Sequence, residues 1–565
     1  MTLTTVLSLA LALTLAPSAA PQAPAPVTAD PDVAATVNRL LGGARHPALR
    51  WSAISDVSRD LWTLYDGEPD RLVWFEGRRA LPTVEGALTA IAAAPAYGLD
   101  PGDYDAATLQ VQWAGLRDHP ASPAQRAQFD VALTVTVARL LAAVHLGRVD
   151  PDVLSWKYAG PHKRLDRVAL LRDARLGRGL GDVLRGLEPT VSHYVRARAA
   201  LAVYRQLAEA GEPPAVPPLP RGRRKVLPGQ TWTAVPQVAA RLRAVGDLVA
   251  DTPAASTQYT GPLVDAVKRF QTRHGLESDG VIGAGTLAAL NVPLASRVRQ
   301  IELAMERMRW LPLLADQRHV FVNVANFRLW ASDPLAKDDP LRMNVVVGKS
   351  LDHETPLFIE RLEYIVFRPY WNPPRGILID EILPKARTDA GYMARHRYEI
   401  VASGADDAAA LPASVENLDK VRAGRLSLRQ RPGPSNSLGL AKFIFPNDEQ
   451  VYMHGTPTRG TFARARRDAS HGCIRLEDPA ALAAWVLRDQ PDWTRARIEQ
   501  AMAGDKPVRV SLRQPMTVVL FYDTVHVSRQ GVVFFMDDIY GHDADLDVAL
   551  RRGYPYPSLR DTASR

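Results

Sequence analysis

The chain has 565 residues, 46% hydrophobic and 23% charged, a balance that excludes wholesale disorder, a collagen-like repeat and a coiled-coil rod. At ~150 residues per domain, the length predicts three or four domains. The formal charge of +8, from 69 Lys+Arg against 61 Asp+Glu, suits an anionic surrounding such as a cell wall or membrane surface and requires no nucleic acid.

The first residues are an apolar run ending in small residues at Ala16 to Ala20. The run is too short for the ~20 apolar residues of a membrane span. It reads as a secretory signal over 1–20, with cleavage near Ala19, Ala20 or Ala23, followed by a Pro/Ala linker over 21–29. No Lys or Arg precedes the run, so an uncleaved anchor is the alternative. An exported, periplasmic protein is expected, with membrane contact only through an uncleaved signal. Cys473 is the single cysteine, so no intramolecular disulfide can form.

Residues 30–212 read as a helical scaffold. From Ala124 to Leu146, apolar Phe129, Leu133, Val137, Leu140 and Val144 recur at helical spacing, and Gly147 follows as a stop. Asp130 and Arg139 inside this run favour a buried soluble helix over a membrane span. Residues 213–229 are Pro-rich and basic and read as a linker. Residues 230–293 offer two apolar helical faces (Val238, Leu242, Val245, Val249; Leu263, Val267, Phe270), a turn at Asp279-Gly280 and a short helix at 285–290. The stretches Gly261 to Gln271, His274-Gly-Leu, Asp279 to Gly283 and Thr286 to Asn291 resemble the peptidoglycan-binding domain type 1 family.

A helical bridge (294–317) leads to β-branched and aromatic runs at His319–Val324, Leu341–Val347 and Glu363–Phe367. They predict a mostly β domain over 318–513. Between about 374 and 430 the pattern breaks into helical segments, an insertion of the kind that serves as a lid or substrate-binding element. A tail over 514–565 adds apolar strands at 517–522 and 531–535, then an acidic run.

The chemistry lies in Ala469-Ser-His-Gly-Cys-Ile-Arg475. His471 is two residues before Cys473, and His454 is 19 residues before it. A cysteine nucleophile acts as thiolate and needs a base or a positive neighbour. Two imidazoles and the Arg475 guanidinium supply both, which predicts a lowered thiol pKa. Gly472 lets the backbone approach a substrate closely, and adjacent N–H groups can form an oxyanion hole. A zinc site of one Cys and two His is the alternative, although no paired metal-ligand spacing is present. The residues alone do not rank the two histidines.

His454-Gly and Ser470-His-Gly-Cys-Ile-Arg475 resemble the signature of the YkuD-type L,D-transpeptidase catalytic domain. Tyr370-Trp-Asn-Pro-Pro374, Arg431 to Gly439, Lys442 to Asn447 and Tyr452-Met-His-Gly resemble the large Gram-negative L,D-transpeptidases. The resemblance implies a multi-domain α+β protein: helical scaffold, three-helix peptidoglycan-binding module and mostly β catalytic domain with a helical capping insertion. It implies peptidoglycan stem peptides as partners, a tetrapeptide donor and a diaminopimelate amine acceptor, joined in 3→3 crosslinks. It implies carbapenem-type inhibitors, and no cofactor, metal or nucleic acid. By the same resemblance Cys473 is the nucleophile, His454 the proton donor and acceptor, His471 an orienting group and Gly472 an oxyanion N–H. Tyr452, Ser470, Arg475, Trp371 and Asn436 are expected at the substrate, with a structural role the alternative for Ser470, a place in the core for Trp371, the turn at Gly433-Pro434 for Asn436 and a lock on the loop for Arg475. Water as acceptor (an L,D-carboxypeptidase), a protein lysine as acceptor, and a non-catalytic wall-binding scaffold remain as alternatives.

Overall fold

The structure, a computed structural model, describes residues 30–66, 71–154, 156–158, 163–251, 256–312, 314, 317–336, 339–350 and 353–556. The expected signal and linker (1–29) and the end of the tail (557–565) lie outside the described residues.

The axis of the scaffold is the helix Pro123–Leu146. Ser122 opens it with a capping box: its hydroxyl takes the Gln125 N–H, and the Gln125 amide oxygen takes the Ser122 N–H. Pro123 stands where a missing N–H costs nothing, and Gly147 ends the helix at φ +86°. The apolar residues form no one-sided stripe, because the helix is buried on nearly every side. Helices Pro31–Gly42, Thr83–Ala92, Ala106–Asp118, Arg167–Arg175 and Leu180–Leu187 surround it. Among the described residues it is the one helix long and apolar enough to cross a membrane, and here it is the core of the scaffold. The two charges at its centre are paired. Asp130 accepts the Tyr65 hydroxyl and the Val73 and Trp74 amides, and Arg139 pairs with Asp56 at 2.9 Å.

The next helix, Ser192–Glu209, packs elsewhere. Its Tyr194, Ala197, Leu201 and Tyr204 meet the bridge helix Leu294–Trp310 and join the core of the β domain. The stretch 30–212, expected as one unit, therefore feeds two cores. At the junction, Glu306 of the bridge is fully buried, 3.0 Å from Arg309 and 3.5 Å from Arg148.

The module has the three expected helices, Val235–Ala244, Pro262–Arg273 and Ala284–Leu290. The stretch read as a linker is partly built into it. Val216 and Val226 sit in its core, and Lys225–Val226 pairs with Ile282–Gly283. Prolines keep this segment extended, but its two valines give it a face to bury. The module docks on the β domain: Arg273 Nη1 donates to Val533 O at 2.8 Å, and the Ala465 N–H donates to Glu277 Oε1 at 2.7 Å.

Eight strands of the β domain close into a ring. In chain order the strands are β1 (His319–Asn323), β2 (Arg328–Ser332), β3 (Leu341–Gly348), β4 (Phe358–Phe367), β5 (Ala441–Ile444), β6 (Met453–His454), β7 (Asp468–Ser470), β8 (Ile474–Leu476) and β9 (Val508–Phe521). The ring runs β5-β6-β8-β3-β2-β1-β9-β4 and closes because β5 pairs with both β6 and β4; β7 lies outside it, on β3. Alternation along the strands puts Val320, Val322, Leu329, Ala331, Met343, Val345 and Val347 inside. The boundary expected at 513/514 falls within β9. Its two halves pair with β4 in different registers, and the shift between Ser511 and Met516 holds Pro515, which has no N–H to give a ladder. The turn signal there marks a bulge. Of the expected tail, Val533–Phe535 pairs with Val525–Val527 as a hairpin, and the acidic run becomes helix His542–Arg551.

The insertion is mixed rather than helical. Helical segments Arg375–Ile377, Leu378–Ile382, Leu383–Thr388, Tyr392–Arg395 and Val415–Arg422 accompany a three-stranded sheet of Tyr398–Val401, Ala410–Leu411 and Ser427–Gln430. It has its own core, including Trp371, Ile382, Leu383, Ile400, Leu428 and Leu438. Its strands Ala410–Leu411 and Ser427–Gln430 are two and four residues long, too short to stand out beside the Ala/Asp/Arg-rich stretch.

Candidate active site

Cys473 ends a tight turn between β7 and β8. The Ser470 hydroxyl donates to Cys473 O at 2.6 Å and closes the turn. Gly472 has φ +104°, a region that L side chains rarely adopt. Its carbonyl accepts the Thr355 hydroxyl at 2.8 Å, and that hydroxyl accepts the Gly348 N–H at 2.8 Å. Tyr540, from the tail, donates to Gly348 O at 2.6 Å and accepts the Thr355 N–H at 3.1 Å. The cysteine turn is thus fastened to β3 and to the tail. Among the described residues, the Gly472 and Cys473 amides have no hydrogen-bond acceptor, so both remain available to an oxyanion.

Strand register places the rest. β6 and β8 are parallel, with Met453 opposite Ile474 and His454 opposite Arg475; the Ile474 N–H donates to Tyr452 O at 3.1 Å. β5 and β6 are antiparallel, with Lys442 opposite His454. Side chains opposite one another share a face. Lys442, His454 and Arg475 therefore line up across three strands, with Tyr452 and Cys473 at one end.

His454 is 5% exposed, and its Nδ1 lies at hydrogen-bond distance from Gly455 O. A carbonyl only accepts, so Nδ1 carries the proton and Nε2 keeps its lone pair. Burial, and then the positive Arg475, lower its pKa to about 3. The imidazole is a neutral acceptor. The lowered thiol pKa expected from the two imidazoles and Arg475 is not found, and of those groups only Arg475 pulls the thiol down. Burial pushes the Cys473 thiol up, and the groups that pull it down are the Tyr452 N–H and phenol, Lys442 and Arg475. A neutral imidazole adds no positive charge to hold a thiolate.

Tyr452 touches the thiol from the side. Its phenol is pushed up by burial and by Cys473, and the Trp371 indole N–H donates to it. Lys442 Nζ stands 3.9 Å over the Tyr452 ring. Arg475 Nε is buried without a partner, and among the described residues neither Arg475 nor Lys442 pairs with a carboxylate. His471 bonds the insertion: its Nε2 lies 2.7 Å from Glu381 Oε1, and its ring is 4.7 Å from that of His353.

Three expected substrate residues have structural partners instead. Ser470 spends its hydroxyl on the turn. Asn436 is 1% exposed; its amide donates to Pro369 O, Gln430 O and Arg431 O, and its oxygen accepts the Leu438 N–H. Trp371 exchanges backbone hydrogen bonds with Gln430, packs in the insertion's core and reaches the site only through Tyr452. Lys442, Glu381, Thr355 and Tyr540 went unpredicted as site residues. Lys442 had a signal, a lone cation in the apolar alternation Ala441-Lys-Phe-Ile444. The other three come from segments whose position the sequence does not reveal. Among the described residues, no group of three His, Cys, Asp or Glu converges as a metal site would require.

Residues 317–510 match the family described as "L,D-transpeptidase catalytic domain" (YkuD). The chain carries a YkuD-type catalytic domain. Residues 59–201 match "Scaffold domain", and 233–290 match "Putative peptidoglycan binding domain". A Haemophilus influenzae protein named "Putative L,D-transpeptidase" is 32% identical over 251 residues, 44% of this chain and 49% of that protein. The chain thus spans about half the length of this curated relative. A crystal structure of an L,D-transpeptidase from Xylanimonas cellulosilytica aligns at 16% identity and TM-score 0.16, over 54% of this chain and 100% of that one; no argument rests on it. The YkuD match ends at 510, inside β9, whereas the strand completing the ring continues to Phe521.

Proposed function

We propose that the protein is a cysteine L,D-transpeptidase of the periplasm that forms 3→3 peptidoglycan crosslinks. The observation that carries this reading is the row of Lys442, His454 and Arg475 beside Cys473: two cations without carboxylate partners flank one neutral imidazole.

In this reading the Cys473 sulfur attacks the carbonyl of the third residue of a donor tetrapeptide. His454 Nε2 takes the thiol proton and returns it to the departing D-alanine nitrogen. The resting thiol is protonated, so sulfur and proton separate only as substrate displaces water. Lys442 and Arg475 offset the charge on sulfur and meet the stem's carboxylates. The Gly472 and Cys473 amides hold the oxyanion, each donor worth about 3 kcal/mol. A diaminopimelate amine on a neighbouring stem then resolves the thioester. The module and the basic surface would keep the enzyme on the wall, and carbapenem-type compounds would acylate the same sulfur.

Intact-protein mass spectrometry after incubation with a disaccharide-tetrapeptide, beside Cys473→Ala, tests the proposal. A thioester-sized gain in the parent only, with dimeric muropeptides, supports it. A gain with tripeptide and no dimers assigns a carboxypeptidase or another acceptor. No adduct would leave a wall-binding scaffold.

A further inference from the structure

One carboxylate of the capping insertion reaches the catalytic turn. Glu381 accepts from His471 Nε2 at 2.7 Å, so the ring's proton sits on Nε2 and its lone pair on Nδ1. Both side chains are partly open to solvent, His471 at 36% and Glu381 at 45%. Glu381 lies in the π-helical turn Leu378–Ile382, in which the Leu383 N–H reaches back five residues to Leu378 O. Pro384 follows; it has no N–H, and its ring crowds the carbonyl four residues before it, so the helix widens here. The extra residue changes the phase of the side chains, and Glu381 is the one that meets His471. Tyr392 and Tyr398 flank Glu381, their phenols pushed up by burial and by neighbouring charge that includes Glu381, and His353 covers the other side of His471.

The two imidazoles of the site differ in access. His454 is enclosed behind the thiol, whereas His471 stands at the open side of the turn two residues from Cys473. An acceptor strand arriving after D-alanine has left meets His471. We propose that Glu381 is a positioning residue that makes His471 the base for the acceptor amine, while His454 serves thioester formation. The inference rests on the thioester reading above. In the step it describes, the lone pair of the neutral acceptor nitrogen forms a C–N bond to the thioester carbonyl carbon. The C–S bond breaks, with its electron pair returning to the Cys473 sulfur. The proton lost by nitrogen passes to His471 Nδ1, and the Glu381 carboxylate stabilises the imidazolium and holds the tautomer.

The test is a two-stage measurement on the full chain. Thioester formation with disaccharide-tetrapeptide is timed by intact mass; the isolated thioester then receives a stem peptide bearing the free amine. In Glu381→Gln the ratio of aminolysis rate to acylation rate falls at least tenfold, and Glu381→Asp recovers part of it. An unchanged ratio, whether both rates hold or both fall together, overturns the proposal. A parent protein that forms no thioester removes the reading beneath it, a different failure seen before any acceptor is added.

Discussion

Two regions bury arginines, and they treat them differently. At the junction of scaffold, bridge and tail, Arg148 and Arg309 share Glu306, Arg148 also meets Asp103, and Arg307 meets Asp543. Burial works against the charge on Glu306, and Arg148 and Arg309 outweigh it, holding its carboxyl below the usual range. On the β5–β6–β8 face, Arg475 and Lys442 have no carboxylate among the described residues, and burial lowers both pKa values while Cys473 raises them. The first region is electrostatically closed and holds domains together. The second is left open, so the counter-charge must come from a thiolate or from a ligand.

Breaking the closed region has the largest expected effect. Glu306→Gln keeps the shape and leaves buried Arg309 without a carboxylate and Arg148 with Asp103 alone, at a cost of about 3–5 kcal/mol. Thermal unfolding should move down sharply, while the acylation rate per folded molecule at 25 °C stays at the parental value. A variant that melts like the parent would show that the junction gains nothing from its charges.

Acid separates the regions next. His454 has a folded pKa of about 3 against ~6.5 unfolded. A depressed histidine stabilises the fold above ~6.5, and that stability is lost as pH falls toward 3. At pH 5 this single group removes about 2 kcal/mol. His454→Gln, with no proton to gain, should flatten the decline of stability between pH 6.5 and 4, and denaturant melts at several pH values measure it. His526 and His542, lowered to about 3 and about 4, contribute in the same direction in both proteins.

Opening the second region further should touch chemistry and spare the fold. Lys442→Gln removes a cation that has no carboxylate to lose, so stability should change by less than about 0.5 kcal/mol. The thiol loses one of the charges pulling its pKa down. The alkylation rate of Cys473 in the parent should titrate above the ordinary thiol value, and in Lys442→Gln higher still. Acylation by substrate should fall roughly tenfold, the effect of one lost charge–charge contact of about 1.4 kcal/mol. Lys442→Arg should recover most of both. Equal titration in parent and variant would mean that the cation serves packing alone.

How much of this was legible in the sequence follows from range. The helix at 124–146, the module's three helices and the strands at 319, 341 and 363 are local patterns and readable as such, although the third strand begins five residues earlier, at Phe358. The cysteine turn was readable because Ser470, His471, Gly472, Cys473 and Arg475 fall within six consecutive residues. What failed was non-local. The expected end of the β domain, 513/514, falls inside β9, because ring closure needs that strand to run on to Phe521. Of the expected activators Arg475 holds and the imidazoles do not: adjacency in sequence puts His471 beside Cys473, whereas strand register adds Lys442 and His471 bonds Glu381 of the insertion. For Asn436 and Ser470 the sequence leaves a structural role beside the substrate one, and their backbone partners decide for the structural role.

Ser470 gives the smallest effect and the finest test of the turn. Its hydroxyl donates to Cys473 O from a buried site. Ser470→Ala leaves that carbonyl without its partner, a loss of about 1 kcal/mol. Were Ser470 a substrate contact, the loss would appear in substrate affinity and leave the free protein unchanged. As a turn lock it should appear first in the free protein, as faster amide exchange over residues 471–473. Acylation should then slow by roughly fivefold, the rate equivalent of that energy when the oxyanion amides lose their fixed aim. Ser470→Thr restores the donor and should restore the exchange rates. The direction of the comparison matters more than its size: the open face needs its cations free, and it can leave them free because the turn beside them is fastened by Ser470, Thr355 and Tyr540 without using any charge.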